Sequence, residues 1–390
     1  MTFDPIVIVS AARTPMGGFQ GDLKPLAAPQ LGAAAIRAAV QRAHIPPQDI
    51  DEVIMGNVLP AGLGQAPARQ AALGAGLPES TGCTTINKVC GSGMKAAMLA
   101  SDLIAQGTNS VMVAGGMESM SNAPYLLPKA RAGLRLGHAE LKDHMFLDGL
   151  EDAYDPGRLM GTYAEETAAK YGYSREAQDR YAISSLTRAQ DAIRSGRFRA
   201  EIVAVTAGKT SIEIDEQPPK ANLDRIPQLK PAFRKDGTVT AANSSSISDG
   251  GAALVLMRLS EAERRGIAPR ARVVAHATHS QAPAWFTTAP IGAIRKLFEK
   301  TGWNERTTDL FEINEAFAVV AMAAIDELGL SSDRVNVNGG ACALGHPLGA
   351  SGARIIVTLL YALEQHALQR GIAALCIGGG EATAIALERM

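Results

Sequence analysis

The sequence predicts an α/β protein built from two similar halves, and three observations predict it. Short β-branched runs alternate with alanine-rich helical stretches at both ends of the 390-residue chain. Glycine is abundant at 39 residues while aromatics make up only 5%. A cysteine–glycine segment around Cys90 is echoed by a histidine–glycine segment around His346. Alternating strands and helices imply a mostly parallel sheet covered on both faces. Frequent glycine with few aromatics implies close backbone packing and tight turns.

Ile6 to Val9 is a short apolar run that reads as a buried strand, and Leu31 to Ala43 carries apolar residues at helical spacing. Asp51 to Gly56 reads as a strand with its exit turn. Thr84 to Lys88 is too polar for a buried strand. Gly93 to Gln106 reads as a helix ended by Gly107, and Val111 to Ala114 as a strand running into Gly115-Gly116. From about Ser119 to Ser246 regular apolar strands become rare. One helix stands out there, capped by Ser174, with Ala182, Leu186, Ala189 and Ile193 on one face and Gly196 as its stop. This region reads as an insertion lying over the core. After Asp249 the alternation returns: strand Arg272 to Ala277, helix Pro290 to Thr301, strand Leu310 to Ile313, a helix to Leu328, strand Val335 to Val337, helix Ser351 to Gln365, and strand Ala373 to Ile377. The two ends correspond. Cys90-Gly-Ser-Gly, a helix and Val113-Ala-Gly-Gly-Met-Glu118 parallel His346-Pro-Leu-Gly-Ala-Ser-Gly, a helix and Cys376-Ile-Gly-Gly-Gly-Glu381. A site between two such halves would draw one residue set from each.

The net charge of -1, from 38 basic and 39 acidic residues without a block of like charge, leaves no electrostatic footprint for nucleic acid or a membrane surface. The longest apolar run, Ala316 to Ile325, is about half of the roughly 20 residues a membrane span needs. Met1 to Pro5 carries no signal-peptide character. Four cysteines are too few for a disulfide framework, so a cytoplasmic protein with reduced thiols is expected.

Cys90 lies just before a helix start, where free N–H groups and the helix dipole would lower a thiol pKa of about 8.5 by one or more units. Gly91 and Gly93 would clear space for a bulky substrate. The alternative is a buried core cysteine. Gly91 to Ala96 also fits a loose dinucleotide-binding pattern, but no apolar strand precedes it. His346, fixed by Pro347 in a glycine-rich stretch, is a candidate general base toward a thiol. Cys342 and His346 have a spacing that metal sites use, yet no third ligand is suitably spaced, so no metal is expected. Cys376 ends a strand before Gly378-Gly379-Gly380, whose N–H groups could form an oxyanion hole, and reads otherwise as a buried strand cysteine. Asn314 follows a strand's carboxyl end, where α/β proteins keep their sites; alone it would be a helix cap.

Four segments in this order, Asn87-Lys-Val-Cys-Gly-Ser-Gly, Asn314-Glu-Ala-Phe, Gly345-His-Pro-Leu-Gly-Ala-Ser-Gly and Cys376-Ile-Gly-Gly-Gly, resemble the thiolase family. The similarity runs the whole length and includes Val9 to Phe19, Gly56 to Gly62, Gly115 to Ser121 and Lys230 to Phe233. The resemblance implies two pseudo-duplicated βαβ halves with mixed sheets in a layered α-β-α-β-α core, plus an inserted loop domain. Residues 1-119 with 247-269 would form the half carrying the nucleophile. Residues 120-246 would be the loop domain for CoA binding and oligomer contacts, and 270-390 the second half.

It further implies reversible Claisen condensation of two acetyl-CoA to acetoacetyl-CoA and CoA, through an acyl-cysteine. Cys90 would be the nucleophile, activated by His346, and Cys376 would take the α-proton of the second acetyl-CoA. His346 with a water held by Asn314 would face the enolate oxygen, and the N–H groups of Cys90 and Gly378 the acyl oxygen. Ser245, Phe233, Phe317, Met160, Leu150, Lys220 and Phe286 would contact the CoA ester. CoA thioesters would be substrates with no permanently bound cofactor, and the protein a homo-oligomer, dimer or tetramer. Leu159, Pro218-Pro-Lys220, Ala284-Trp-Phe286, Cys342 and Glu381 depart from the common short-chain pattern, which opens the alternative of a 3-ketoacyl-CoA thiolase for longer or branched chains. A non-catalytic acyl-CoA or lipid carrier would have lost a catalytic residue, and a β-ketoacyl synthase would carry two histidines where this chain has Asn314 and Cys376.

Overall fold

The computed structural model describes residues 4–390. Its spine is a ten-stranded mixed sheet. The main strands in chain order are β1 (Ile6–Arg13), β2 (Glu52–Gly56), β3 (Gly82–Ile86), β4 (Val111–Ser119), β5 (Ser248–Arg258), β6 (Ala271–Ser280), β7 (Leu310–Ile313), β8 (Arg370–Ile377) and β9 (Glu381–Arg389). Across the sheet they run β7-β8-β9-β6-β1-β5-β4-β2-β3, with the two-residue strand Gly17–Gly18 beside β5.

The order contains the duplication. In the first half β2 and β4 are parallel, and β4, β5 and β1 pair antiparallel in turn. In the second half β7 and β8 are parallel, and β8, β9 and β6 pair antiparallel. Within the sheet, among the described residues, the two half-sheets join where Val7 and Ile8 of β1 meet Arg272 and Ala271 of β6. The expectation of a mostly parallel sheet is therefore corrected: the long ladders β4–β5 and β6–β9 are antiparallel. The strands responsible, β5 and β9, are almost wholly buried. Strands covered on both faces carry no alternation to read.

The principal helices are α1 (Ala28–Arg42), α2 (Pro67–Gly74), α3 (Ser92–Ala105), α4 (Met160–Tyr171), α5 (Arg175–Arg194), α6 (Ala289–Thr301), α7 (Ala318–Leu328) and α8 (Leu348–Gln365). α3 and α8 pack on each other between the two half-sheets, sharing one core with both. α1 and α2 cover the outer face of the first half, α6 and α7 that of the second. Five layers result. α8 is buried on every side from Leu348 to Leu363, as a central helix must be.

Glycine makes the centre possible. A Cβ on Gly93 of α3 would sit 2.8 Å from the Ala353 nitrogen and 2.9 Å from the Gly349 oxygen of α8. One on Gly116 would sit 1.9 Å from that same oxygen, and one on Gly91 would meet Ile377 Cδ1 at 2.4 Å. Gly93 thus serves close backbone packing, and Gly91 makes room for the Ile377 side chain.

Thr84 to Ile86 is no buried strand, as its polarity implied; it lies in β3, the half-exposed edge of the sheet. One further expectation changes. Val335 to Val337 is not a strand, having a single bridge from Val335 to Phe311. Asn336 adopts a positive φ of 50° and pairs β7 with its side chain instead, accepting from Ile313 N–H and donating to Ile313 O, each at 2.8 Å.

Between β4 and β5 the chain forms α4, α5, two small ribbons and a π-helical turn, Phe146–Leu150. Ser174 caps α5, its hydroxyl accepting from Ala177 N–H at 3.2 Å. α5 packs on α7 and on the short helix Ala341–Leu344, and α4 on the turn Pro283–Thr288.

Replacing Gly93 or Gly116 by alanine should lower stability by about 3 kcal/mol or more, because backbone atoms cannot give way. Gly82→Ala, whose Cβ would approach nothing closer than 3.4 Å, should stay within about 0.5 kcal/mol of the parent. Urea midpoints decide this, and equal midpoints for all three would contradict the packing argument.

Candidate active site

Each central helix delivers a chemical group just before its first turn. Cys90 lies two residues before α3, and His346 two before α8. Because α3 and α8 touch through glycine, both residues reach one cavity of about 360 Å³. The backbone leading to Cys90 is strained. Val89, a β-branched residue, has φ +46°, a conformation costing on the order of 1–3 kcal/mol. Local hydrogen bonds hold it: Asn87 Oδ1 accepts from Val89 N–H at 2.8 Å, and Ser92 Oγ accepts from Lys88 N–H at 2.8 Å while donating to Val89 O at 2.7 Å.

Of the expected residues, Cys90, His346, Gly378, Ser245, Phe233, Phe317, Met160, Leu150 and Phe286 line this cavity. Phe317 stands edge-to-face with Phe233 and Phe286, at ring-centre distances of 5.9 and 6.5 Å, which makes a rigid apolar wall. Ser245 is seated by its N–H donating to Ala316 O at 2.9 Å. Cys376 and Asn314 are buried and do not line the cavity. Asn314 Nδ2 lies 3.5 Å from both ring nitrogens of His346. Lys220 also stands apart, its ammonium 2.6 Å from Glu216 and 3.5 Å from Asp22. Cys342 N–H donates to Glu315 Oε2 at 3.0 Å, and its thiol lies 3.7 Å from Glu315 O.

Burial sets the resting protonation states. It pushes the Cys90 thiol up to about 11, although the N–H groups of Gly378 and of Cys90 itself point at the sulfur and oppose the shift. The expectation that the helix start lowers this pKa is corrected: desolvation, with the Glu118 charge, outweighs the N–H groups. Burial likewise raises Cys376 well above the usual thiol range, reinforced by the charge of Cys90 when ionised. Burial, then the nearby Arg354 charge, lowers His346 to about 3, so the imidazole is neutral. Its Nδ1 is 2.6 Å from Ser351 Oγ, and that hydroxyl donates to Pro347 O at 2.9 Å. Ser351 therefore accepts from Nδ1–H, leaving the Nε2 lone pair free as a base.

Several contributors went unread in the sequence. Phe146 and Leu348 add to the cavity wall, beside Leu159, a departure already marked in the sequence. Glu118, a carboxylate inside a strand, accepts from the N–H groups of Val58 at 2.9 Å, Leu59 at 3.2 Å and Gly349 at 2.9 Å. An acidic residue closing the run Val113 to Glu118 was the available signal. Buried Arg354 contacts Asn314 Oδ1 at 3.4 Å and pairs with Glu312 at 3.5 Å.

With burial holding the thiol at about 11, the alkylation rate of Cys90 by iodoacetamide should keep rising beyond pH 9. A plateau below pH 8.5 would count against the burial argument. His346 gives a stability signature. The unfolded chain binds a proton below about 6.5 while the folded protein resists until about 3, so His346 costs stability as pH falls through that window. Glu118 has the opposite sign: raised by burial to about 7, it favours the fold at low pH, and that contribution is lost as pH rises through about 7. Urea melts at pH 6.5 and 4 should show a smaller acid-side loss for His346→Gln than for the parent; identical losses would be the contrary result.

Two family models cover the chain: the thiolase N-terminal domain matches residues 6–260 and the thiolase C-terminal domain residues 267–389. An acetyl-CoA acetyltransferase of Schizosaccharomyces pombe is 49% identical over 99% of both chains. The cytosolic acetyl-CoA acetyltransferase of Mus musculus is 48% identical over 99% of this chain and 98% of its own. Among solved structures, the thiolase Acat5 of Ascaris suum, in complex with coenzyme A, matches with a TM-score of 0.94 and 43% identity, over 99% of this chain and 100% of that one. A centre in which paired helices present a cysteine and a histidine to one apolar cavity, on a duplicated mixed sheet, has its place among these relatives: the chain belongs to the thiolase family.

Proposed function

We propose that the chain is an acetyl-CoA C-acetyltransferase, interconverting two acetyl-CoA with acetoacetyl-CoA and CoA through an acyl-Cys90 intermediate. One observation carries the reading: Cys90, a neutral His346 and Gly378 share a single apolar cavity, with Asn314 and Cys376 set close behind.

In thiolysis, His346 Nε2 takes the Cys90 proton as sulfur attacks the keto carbon of acetoacetyl-CoA. The carbon–carbon bond breaks, leaving the acetyl group on Cys90 and acetyl-CoA as its enolate. Cys376, held protonated by burial, gives its proton to that carbon and becomes a thiolate. CoA thiol then attacks the acyl-enzyme and its proton restores Cys376, while His346 returns the first proton to Cys90. Condensation runs the same steps backward. There the raised pKa makes the Cys376 thiolate a stronger base toward a weakly acidic carbon. The N–H groups of Cys90 and Gly378 support the acyl oxygen, and His346 with Asn314 the enolate oxygen. The CoA ester would extend past Ser245 and the phenylalanine wall, with Leu150 and Met160 beside it and Lys220 toward the nucleotide.

CoA thioesters are the only small molecules the scheme draws on, with no resident cofactor or metal. No helix among the described residues is long and apolar enough to cross a membrane. A cytoplasmic homo-oligomer, dimer or tetramer, completes the proposal, and light scattering after size exclusion reads the oligomeric state.

The test is thiolysis of acetoacetyl-CoA by CoA, followed by loss of enolate absorbance. Cys90→Ser should fall to background, and Cys376→Ala should lose about 10²–10⁴-fold in kcat. Turnover that survives Cys90→Ser overturns the proposal. CoA-ester binding without turnover in the intact protein would favour a carrier, and faster thiolysis of longer or branched β-ketoacyl-CoAs would move the assignment to a 3-ketoacyl-CoA thiolase.

A further inference from the structure

The strained turn before Cys90 is tied to the other half of the molecule by one ion pair. Lys88 Nζ lies 2.5 Å from Glu381 Oε2, and Ser280 Oγ donates to Glu381 Oε1 at 3.0 Å. Lys88 immediately precedes Val89, the residue with φ +46°. Glu381 opens β9, directly after the glycine turn that carries Gly378, whose N–H points at the Cys90 sulfur. Ser280 ends β6, the neighbour of β9, so three segments converge on one carboxylate.

The two N–H groups facing the acyl oxygen come from different halves: that of Cys90 from the first, that of Gly378 from the second. The local bonds of Asn87 and Ser92 hold the first turn on itself but do not fix its distance from Gly378. The glycine turn takes left-handed backbone, with Gly379 and Gly380 at φ +90° and +86°, and Gly380 O accepts from Gln281 N–H at 2.8 Å, next to Ser280. Lys88 and Glu381 retain 21% and 32% side-chain exposure. A pair that wet is weak as a source of stability. Its position bears on geometry instead, since an oxyanion donor displaced by a fraction of an ångström loses much of its effect.

We propose that Lys88, Glu381 and Ser280 form a clamp that sets the spacing of the two oxyanion donors, with Lys88 and Glu381 as positioning residues for acyl transfer at Cys90. On the acyl-cysteine reading given above, the clamp acts on the transition state and leaves CoA-ester binding largely unchanged.

Three variants test it: Lys88→Met, Glu381→Gln, and the exchanged pair Lys88→Glu/Glu381→Lys. Each single change should lower kcat for acetoacetyl-CoA thiolysis about tenfold, with KM within about twofold. The exchanged pair should recover to within about threefold of the parent, because it rebuilds the link with charges reversed. If Lys88 acted only through its charge on Cys90, the exchanged pair would be slower than either single variant, which overturns the clamp. So does a kcat unchanged in the single variants while only the melting temperature moves, the mark of a purely structural role. Should a Lys88 variant fail to fold, Ser280→Ala, releasing one side of Glu381, should lower kcat about threefold, and an unchanged kcat there refutes the proposal. Alkylation of Cys90 by iodoacetamide at pH 8 needs no thiolase activity and separates the two failures. A slower rate in both single variants with recovery in the exchanged pair supports the clamp even if the thiolase assignment fails; rates equal to the parent reject it even if that assignment stands.

Discussion

The contact on which the rest of the structure depends is the backbone approach of α3 to α8. Two half-sheets enclose these helices, and the space between them admits no Cβ at Gly93, Gly116 or Gly352. Ordinary side chains there would hold the helix axes 8–10 Å apart at about the usual spacing. Removing them draws the helix starts together, and Cys90 and His346 ride on those starts. Catalytic proximity is thus a packing property, set by residues without side chains that take no part in the chemistry. It also explains why the seam of the sheet between β1 and β6 can be so short: the halves are held by the central helices more than by the ladder.

Dryness follows from that packing, and it fixes the electrostatics. Cys90 and Cys376 are pushed upward and His346 downward, so every reacting group rests neutral. Ionisable groups are kept one layer deeper, where burial raises Glu312 to about 8. Arg354 and Glu312 form a buried pair beside Asn314, and Arg13 is paired with Glu201 and Asp215 beyond them. A preformed thiolate–imidazolium pair would have to be desolvated before substrate arrives. In a neutral site, charge forms only with the oxyanion that the N–H groups receive, so those donors act chiefly on the transition state.

This division explains what the sequence made legible. Motifs reveal residue types that chemistry demands at short spacing, so Cys90, His346, Cys376 and Asn314 could be singled out from four segments, and the echo between the two ends foretold the duplicated sheet. What stayed hidden were properties of the assembled interior. The antiparallel strands β5 and β9 are buried on both faces and carry no period. The polar edge of β3 concealed a strand, and Asn336 replaced one with its side chain. Desolvation of Cys90 beside its cavity opposes the pKa lowering argued from its helix alone. Glu118 could not be placed without knowing that Gly349, distant in sequence, stands against it.

Duplication also accounts for a reciprocity between the halves. Glu118 closes the run after the Cys90 helix, and Glu381 closes the corresponding run after the His346 helix. Each reaches into the other half. Glu118 accepts from the Gly349 N–H at the start of α8, and Glu381 takes Lys88 just ahead of α3. Their chemistry differs because their depth differs. Glu118 is fully buried and satisfied by backbone donors at a helix start, where negative charge is favoured, yet desolvation still raises its pKa to about 7. Glu381 is partly desolvated too, but the hydrogen bonds and charge of Lys88, with help from Ser280, more than offset this and hold its carboxyl below the usual range. One brace is therefore pH-sensitive near neutrality and the other is not. The histidine side of the centre is anchored by a carboxylate that can take up a proton, and the cysteine side by one that stays charged; on the clamp proposed above, that second brace would hold the turn bearing the nucleophile across the range in which His346 is neutral.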